Sequence, residues 1–295
     1  MARILGDDPC VAIPRASNFP APALSAGQGL LEVEKVNGRS AATRVMARSP
    51  LRILTPRNCP GNAAWVFTST FGGGLVSGDH ADLQARIGVG ARCVLATQSS
   101  TKVFRSKTAE ITRQTLSVSI AAAGVCAILP DPVTCYAGAS FEQRMRIDLD
   151  ASASLVLVDW LTSGRKARGE RWALARYASR IEAAVGSKLA FRDAILLDRD
   201  PGPIDGLHRM GRYDCFGLML MLGPAVAATA EGIVSWDAGQ PIHRGQDVIF
   251  SISPLAGGAV IRVAGTETEA VGQWIRQRLG FLGALLGADP WSRKW

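Results

Sequence analysis

From Leu30 onward the chain is cut into short runs of alternating apolar and polar residues by glycine-centred turns, and this punctuation narrows the open folds more than any other feature. In LLEVEKV, Leu31, Val33 and Lys35 alternate with Glu32 and Glu34. Asn37-Gly38 follows, a pair that accepts the positive φ angles of a two-residue hairpin turn. Gly88 to Gly90 separates LQARI from CVLATQ, Gly124 separates TLSVSI from VCAIL, and Gly186-Ser187 separates RIEAAV from KLAFRDAILL. Each reads as strand, turn, strand. Further on, VIFSISPL and AVIRVAG flank Gly257-Gly258. Val248, Phe250 and Ile252 fall on one face and Ser251 and Ser253 on the other, as in a sheet with one wet side. Gly169 to Ala184 is readable as helix or strand and is assigned to strands by its setting. No fixed sequence period marks a repeat array.

At 295 residues, 47% hydrophobic and 20% charged, the chain can bury a full core. One helix is predicted, from about Glu267 to Leu286. Thr266 and Glu269 make a capping box, Val271, Trp274, Ile275, Leu279 and Leu282 have helical spacing, and Gly287 with Pro290 ends it. Gly272, Gly280 and Gly283 inside it cost roughly 1 kcal/mol each relative to Ala, so packing must hold it. Residues 1–26, with Pro9, Pro14, Pro20 and Pro22, are expected to form a flexible tail, and 27–295 a single β-rich domain. Met1 to Leu24 lacks the apolar run of an export signal. Phe216 to Ala230 is interrupted by Gly217, Gly223 and Pro224, falls short of a bilayer span and is read as buried core. Cys10, Cys59, Cys93, Cys126, Cys135 and Cys215 form no CxxC, which favours neither a disulfide framework nor a zinc knuckle and points to a cytoplasmic home. The net charge of +8 favours acidic partners. No helix-turn-helix, zinc-finger or RNP pattern accompanies it, so neither nucleic acid nor a membrane is the expected partner.

Four stretches stand apart. FGGGLVSGD (Phe71 to Asp79) could wrap an anion with its backbone N–H groups, yet it lacks the GK[ST] ending of a P-loop and is not GxGxxG. A bend in the sheet or an exposed recognition loop are its other readings. His80 follows directly; imidazole beside Asp79 and Asp82 suits a borderline ion such as Ni(II). On an extended strand His80 and Asp82 share a face, and Asp79 joins only if the chain turns. With His80, His208 and His243 as the three histidines, a closed multi-imidazole site is not expected. TQSSTKVFRS (Thr97 to Ser106) supplies Lys102 and Arg105. ILPDPVTCYAGASFEQ (Ile128 to Gln143) holds Asp131 between two prolines on a rigid turn. DWLTSGRKARGERW (Asp159 to Trp172) sets Arg165, Lys166, Arg168, Arg171 and Glu170 between Trp160 and Trp172. Charge runs are usually solvated, but Trp and Arg together are enriched at interface hot spots, which favours docking over phosphate binding.

In this order and spacing, with GRYDCFGLMLMLGP (Gly211 to Pro224) behind them, these stretches resemble the UreD (UreH) family of urease accessory proteins, over roughly residues 27–224. The resemblance implies a mainly β fold of many short strands in stacked, helically arranged sheets (β-helix-like), with a small helical portion including a C-terminal helix. It also implies a non-enzymatic chaperone and scaffold that binds a UreF-like protein and, through it, a UreG-like GTPase on apo-urease. No cofactor is expected to be tightly bound, and nickel(II) would be in transit through an internal passage. Gly72, Gly73, Gly74, Gly78 and Asp79 match the family's glycine-rich motif, where an architectural role is implied. Asp79, His80, Asp131, Asp159 and Glu170 become candidate ligands along the nickel route, since a transfer path needs ligands weak enough to release the ion. Trp160, Arg165, Lys166, Arg168, Arg171 and Trp172, with Lys102 and Arg105, become candidate partner-binding residues. Thr134-Cys135-Tyr136 departs from the more hydrophobic, proline-bearing family sequence. The alternatives are a carboxylate-dependent hydrolase on a β-rich fold and a basic anion- or nucleic-acid-binding module. Against an enzyme stands the lack of GxSxG, HExxH or a dinucleotide fingerprint.

Overall fold

The computed structural model describes residues 23–56, 60–106, 110–237, 241, 243 and 245–292, so most of the expected N-terminal tail lies outside the described residues. Along the chain come β1 (Gln28–Val36), β2 (Arg39–Ala47), β3 (Leu51–Leu54), β4 (Ala64–Thr70), β5 (His80–Ile87) and β6 (Arg92–Thr97). Then follow β7 (Thr101–Val103), β8 (Thr112–Ile120), β9 (Val125–Leu129), β10 (Val133–Cys135), β11 (Ser140–Leu149) and β12 (Ser154–Thr162). The last part holds β13 (Arg176–Val185), β14 (Lys188–Asp198), β15 (Cys215–Leu222), α1 (Pro224–Asp237), β16 (Val248–Leu255), β17 (Gly258–Gly265), α2 (Thr268–Arg278) and α3 (Leu282–Leu286).

Two sheets face each other, one ordered β14-β13-β11-β8-β5-β1-β2 and the other β16-β17-β15-β12-β9-β6-β4-β3. From β4 to β13 the chain passes from sheet to sheet, and each strand lies parallel to its counterpart one coil earlier. This is the stacked, helical arrangement of sheets implied by the resemblance. β7 and β10 add a short third side, parallel to each other and to the end of β12, and Leu75 bridges to Val103 beside them.

Each coil has two unlike corners. At one, the turns 88–91, 121–124 and 150–153 close with the same backbone bond: Ala91 N–H to the Gly88 carbonyl (3.1 Å), Gly124 to Ala121 (2.9 Å), and Ala153 to Asp150 (3.0 Å). The turns also stack, Ala121 N–H donating to Ile87 and Asp150 N–H to Ile120, both at 2.9 Å. So the glycine turns at 88–90 and 124 carry the chain to the opposite sheet, whereas Asn37-Gly38, Gly186-Ser187 and Gly257 close antiparallel hairpins. Asn37 and Gly38 take the positive φ expected of them, 50° and 81°. At the other corner the connectors are long and unequal. The register partners His80, Arg113, Glu142 and Ala178 are therefore unevenly spaced in sequence, and no period shows.

Inward rows of β5, β8 and β11 (Leu83, Leu116, Met145; Ile87, Ile120, Leu149) pack against Cys93, Leu95, Cys126, Ile128, Leu155 and Leu157 of the facing sheet. The outer side of that second sheet is covered by the three helices through Val226, Ala230, Val271, Ile275, Leu279, Leu282 and Leu286. β9 and the first half of β12 (Leu155 to Val158), with neighbours on both faces, accordingly read as continuous apolar runs. The first sheet leaves one face in water, so its parallel strands alternate, with outward pairs such as Arg86–Glu32 (3.1 Å) and Arg192–Glu182 (2.9 Å). Cys93, Cys126, Cys135 and Cys215 are free and buried, and Cys10 and Cys59 lie outside the described residues.

Three local expectations are corrected. The helix predicted over 267–286 is two, α2 and α3, separated at Leu279–Phe281 beside Gly280. Its capping box does not form: Glu267 is the N-cap and makes no side-chain cap bond, while the Thr266 hydroxyl sits 3.2 Å from Asp247 Oδ1. The apolar stretch 216–230, read as buried core, is buried along β15, but Gly223 (φ 101°) ends that strand and Pro224 opens α1, where Pro224, Ala225 and Ala228 are exposed; proline there takes a first-turn position that needs no N–H. Among the described residues no helix is long and apolar enough to cross a membrane.

Candidate functional site

The four unusual stretches are the connectors of the long corner, one per coil: β4 to β5, β6 to β8, β9 to β11 and β12 to β13. In the first, Gly72 and Gly73 (φ 72° and 73°) bend the chain, and Asp79 closes the loop by accepting the Val76 N–H at 2.8 Å. Gly74 is required for packing, because a Cβ there would stand 2.5 Å from the Phe104 ring and 2.8 Å from the Lys102 carbonyl. In the third, the Asp131 N–H donates to Thr97 Oγ1 at 2.7 Å, tying the proline turn to the end of β6. The Trp160 indole N–H donates to the Pro130 carbonyl (2.9 Å), and its ring abuts Gly272 of α2.

The cationic connector is held by its own charges. Arg165 donates from Nε to Glu170 Oε2 at 2.9 Å and from Nη2 to Oε1, and its guanidinium lies 3.9 Å from the centre of the Tyr136 ring. The hydrogen bonds from Arg165 hold the Glu170 carboxyl below the usual carboxylate range, with the Ala137 N–H (3.2 Å) assisting. Lys166 reaches Asp214 (2.9 Å) and Glu267 (2.7 Å), and Arg171 donates to Asp214 Oδ1 (2.5 Å) and the Gly211 carbonyl (2.6 Å). Trp172 is 1% exposed and donates its indole N–H to the Tyr213 carbonyl at 2.8 Å. Arg168 stands exposed at the tip.

All four connectors contribute to an open cleft of about 1010 Å³. Val76 and Ser77 come from the first, Phe104 and Arg105 from the second, Tyr136 and Gly138 from the third, Arg165, Glu170 and Ala173 from the fourth, with Arg199 from just beyond β14. Phe104 meets Tyr136 edge-on, ring centres 5.2 Å apart.

Between the sheets, at this same end, polar side chains interrupt the apolar rows. Gln143, Asp159 and Ser179, on β11, β12 and β13, are 2%, 6% and 4% exposed. Gln143 Nε2 donates to Asp159 Oδ1 (2.9 Å), and the Ser179 hydroxyl donates to Oδ2 (3.3 Å). Burial pushes the Asp159 carboxyl up, and these two donors offset part of that. Asp193 of β14 adds a nearby charge and is itself held by Arg262 of β17 at 2.6 Å. A narrow space of about 80 Å³ between the sheets is lined by Thr68, Thr97, Thr101 and Gln114 among apolar neighbours. Among the described residues, no three His, Cys, Asp or Glu side chains cluster to hold a metal ion.

With this geometry in view, the profile of the UreD urease accessory protein family matches residues 25–295. The chain belongs to the UreD family. It is similar to a protein named urease accessory protein UreD from Sorangium cellulosum (strain So ce56), 46% identical over 98% of this chain and 90% of that one. A namesake from Anaeromyxobacter sp. (strain Fw109-5) is 39% identical over 97% of this chain and 94% of its own. Urease accessory protein D of Arabidopsis thaliana is 31% identical over 90% of this chain and 99% of its own.

In this UreD-family chain, the five residues read from the sequence as nickel ligands are not brought together. Asp79 staples a loop, Glu170 is bound by Arg165, and Asp131 is half-buried at its proline turn. His80 is exposed at the start of β5, where it faces out with Asp82; burial raises the Asp82 carboxyl and the nearby imidazole tempers the rise. Asp159 lies between the sheets. Of the residues read as partner-binding, Arg105, Arg165, Lys102 and Arg168 lie in or beside the cleft corner, but Trp172 is in the core and Arg171 is enclosed by the chain's own acceptors. Gln143, Ser179 and Arg199 were not singled out from the sequence. A signal for Gln143 and Ser179 existed: each is a polar residue in an inward row, between Phe141 and Met145 and between Tyr177 and Ile181.

Proposed function

We propose that this chain is a non-enzymatic chaperone and scaffold of urease maturation that holds a UreF-like protein and, through it, a UreG-like GTPase on apo-urease. In this reading nickel(II) is cargo, bound only in transit, and it crosses the space between the two sheets in the cytoplasm. The observation that carries the route is Asp159, a carboxylate buried between the sheets among a serine hydroxyl and an amide. Such oxygen donors are few and hard, which suits passage rather than retention. The corner rich in cations and aromatics supports the docking half, since those residue types dominate interface hot spots.

The test is the nickel content and activity of urease from cells expressing the urease structural and accessory genes with the chain, without it, and with Asp159→Ala. Loss of loading without the chain is expected, and a lower nickel content with Asp159→Ala while the accessory complex still co-purifies. Normal loading without the chain removes the scaffold reading; normal loading with Asp159→Ala removes the interior carboxylate from the route.

A further inference from the structure

Three cations of the long corner are committed to carboxylates of the chain itself: Arg165 to Glu170, and Lys166 and Arg171 to Asp214. Arg105 and Arg199 differ. Both are exposed on the cleft wall, and among the described residues neither forms an ion pair. Arg199 donates a 3.3 Å bond to the Ala173 carbonyl, which also accepts the Gly138 N–H at 2.8 Å. The stem of Arg105 packs on that same Gly138, its Cγ 3.2 Å from where a Cβ would stand. Gly138 has φ 72°, so glycine both permits the turn and leaves room for the arginine. Arg105 and Arg199 therefore both meet the Gly138–Ala173 backbone contact, with like charge and, among the described residues, no carboxylate partner. Glu170, the carboxylate on the wall, is already neutralised by Arg165 and the Ala137 N–H.

Beside this basic spot lies apolar surface: Val76 is 52% exposed, and Phe104 and Tyr136 are half-buried. The cleft, at about 1010 Å³, is at the upper end of small-molecule pockets, but it is open to solvent where those bury most of their ligand. The planar fork of a guanidinium matches the two oxygens of a carboxylate, and two cations without an acid partner among the described residues favour an anion beside them. We infer that the cleft receives an extended acidic segment of a partner protein, one carboxylate lying between Arg105 and Arg199 and a neighbouring apolar side chain resting on Val76, Phe104 and Tyr136. This rests on the scaffold reading above and adds to it the surface used and the chemistry of the partner.

The test uses the full chain and a fluorescein-labelled short peptide alternating Glu and Leu, with a Gln-Leu peptide as its neutral counterpart, read by fluorescence anisotropy. Arg105→Glu with Arg199→Glu is compared with Arg48→Glu with Lys188→Glu, which changes net charge equally but lies away from the cleft. The expected result is binding of the Glu peptide that weakens by about tenfold or more in the cleft variant, a hot-spot-sized loss, and little in the other. An equal loss in both variants would mean attraction to overall charge and overturns the proposal, as does equal binding of the Gln peptide. Thermal unfolding of both variants should stay close to the parent's, because all four side chains are exposed and, among the described residues, none is in an ion pair. The readout is independent of nickel loading, so failure here leaves the scaffold reading to its own test.

Discussion

At the short corner of each coil the turns 88–91, 121–124 and 150–153 repeat one backbone hydrogen bond and hold few charged side chains, whereas at the long corner every connector differs in length and is held by side chains. The first corner is a backbone ladder, indifferent to most side chains. The second is a set of specific contacts: Arg165 on Tyr136 and Glu170, Lys166 and Arg171 on Asp214, Trp172 on Tyr213. One solenoid thus separates support from recognition, because loops held by a rigid scaffold can vary while the coils below them keep register.

Trp172 anchors the long corner to the core. Trp172→Ala removes a fully buried ring and its indole bond, and should cost about 3–5 kcal/mol in urea unfolding. A loss under about 1 kcal/mol would show that the long corner is not anchored there. At the short corner, Gly124→Ala places a Cβ 2.8 Å from the Ala121 carbonyl and 3.2 Å from the Gly88 carbonyl. About 1–3 kcal/mol should be lost to overpacking, with binding of the acidic peptide unchanged; a change in that binding would mean the corners are not independent.

The smallest effect, opposite in sign, belongs to Asp159→Asn. Burial raises the folded carboxyl above its unfolded value, so the folded chain keeps the proton to higher pH. Its contribution is complete below the unfolded pKa of about 3.9 and is lost as pH rises through the raised folded value. The asparagine does not titrate, so its thermal midpoint should exceed the parent's by a few degrees at neutral pH and depend less on pH above about 4. If parent and variant show the same pH profile, Asp159 is ionised and fully served by Gln143 and Ser179.

Much of the coil scaffold was legible because it is written in local pattern. Asn37-Gly38, the alternation of β1 and the glycine turns are signals of neighbouring residues, and each marks strand ends where the structure has them. What those turns join was not legible: Gly124 and Gly186 look alike in sequence, yet one turns a coil corner and the other closes a hairpin, and only the facing sheet decides between them. The candidate site divides the same way. The four connectors announced themselves by composition, but whether a charge is available depends on partners far along the chain. Arg171 is consumed by Asp214 and Arg199 was unremarked in the sequence, although the fold sets it on the cleft wall.

Most strands and turns, and the resemblance that the family match bears out, follow from the amino-acid sequence, because propensity, alternation and motif spacing act over short stretches. The tertiary structure decided that the four motifs stack at one corner, that Trp172 faces the core and Asp159 the space between the sheets, and that Arg105 and Arg199 stay unpaired among the described residues. Those are outcomes of parallel register between coils, which pairs residues roughly thirty apart in sequence and is set by burying whole apolar rows at once rather than by any local signal.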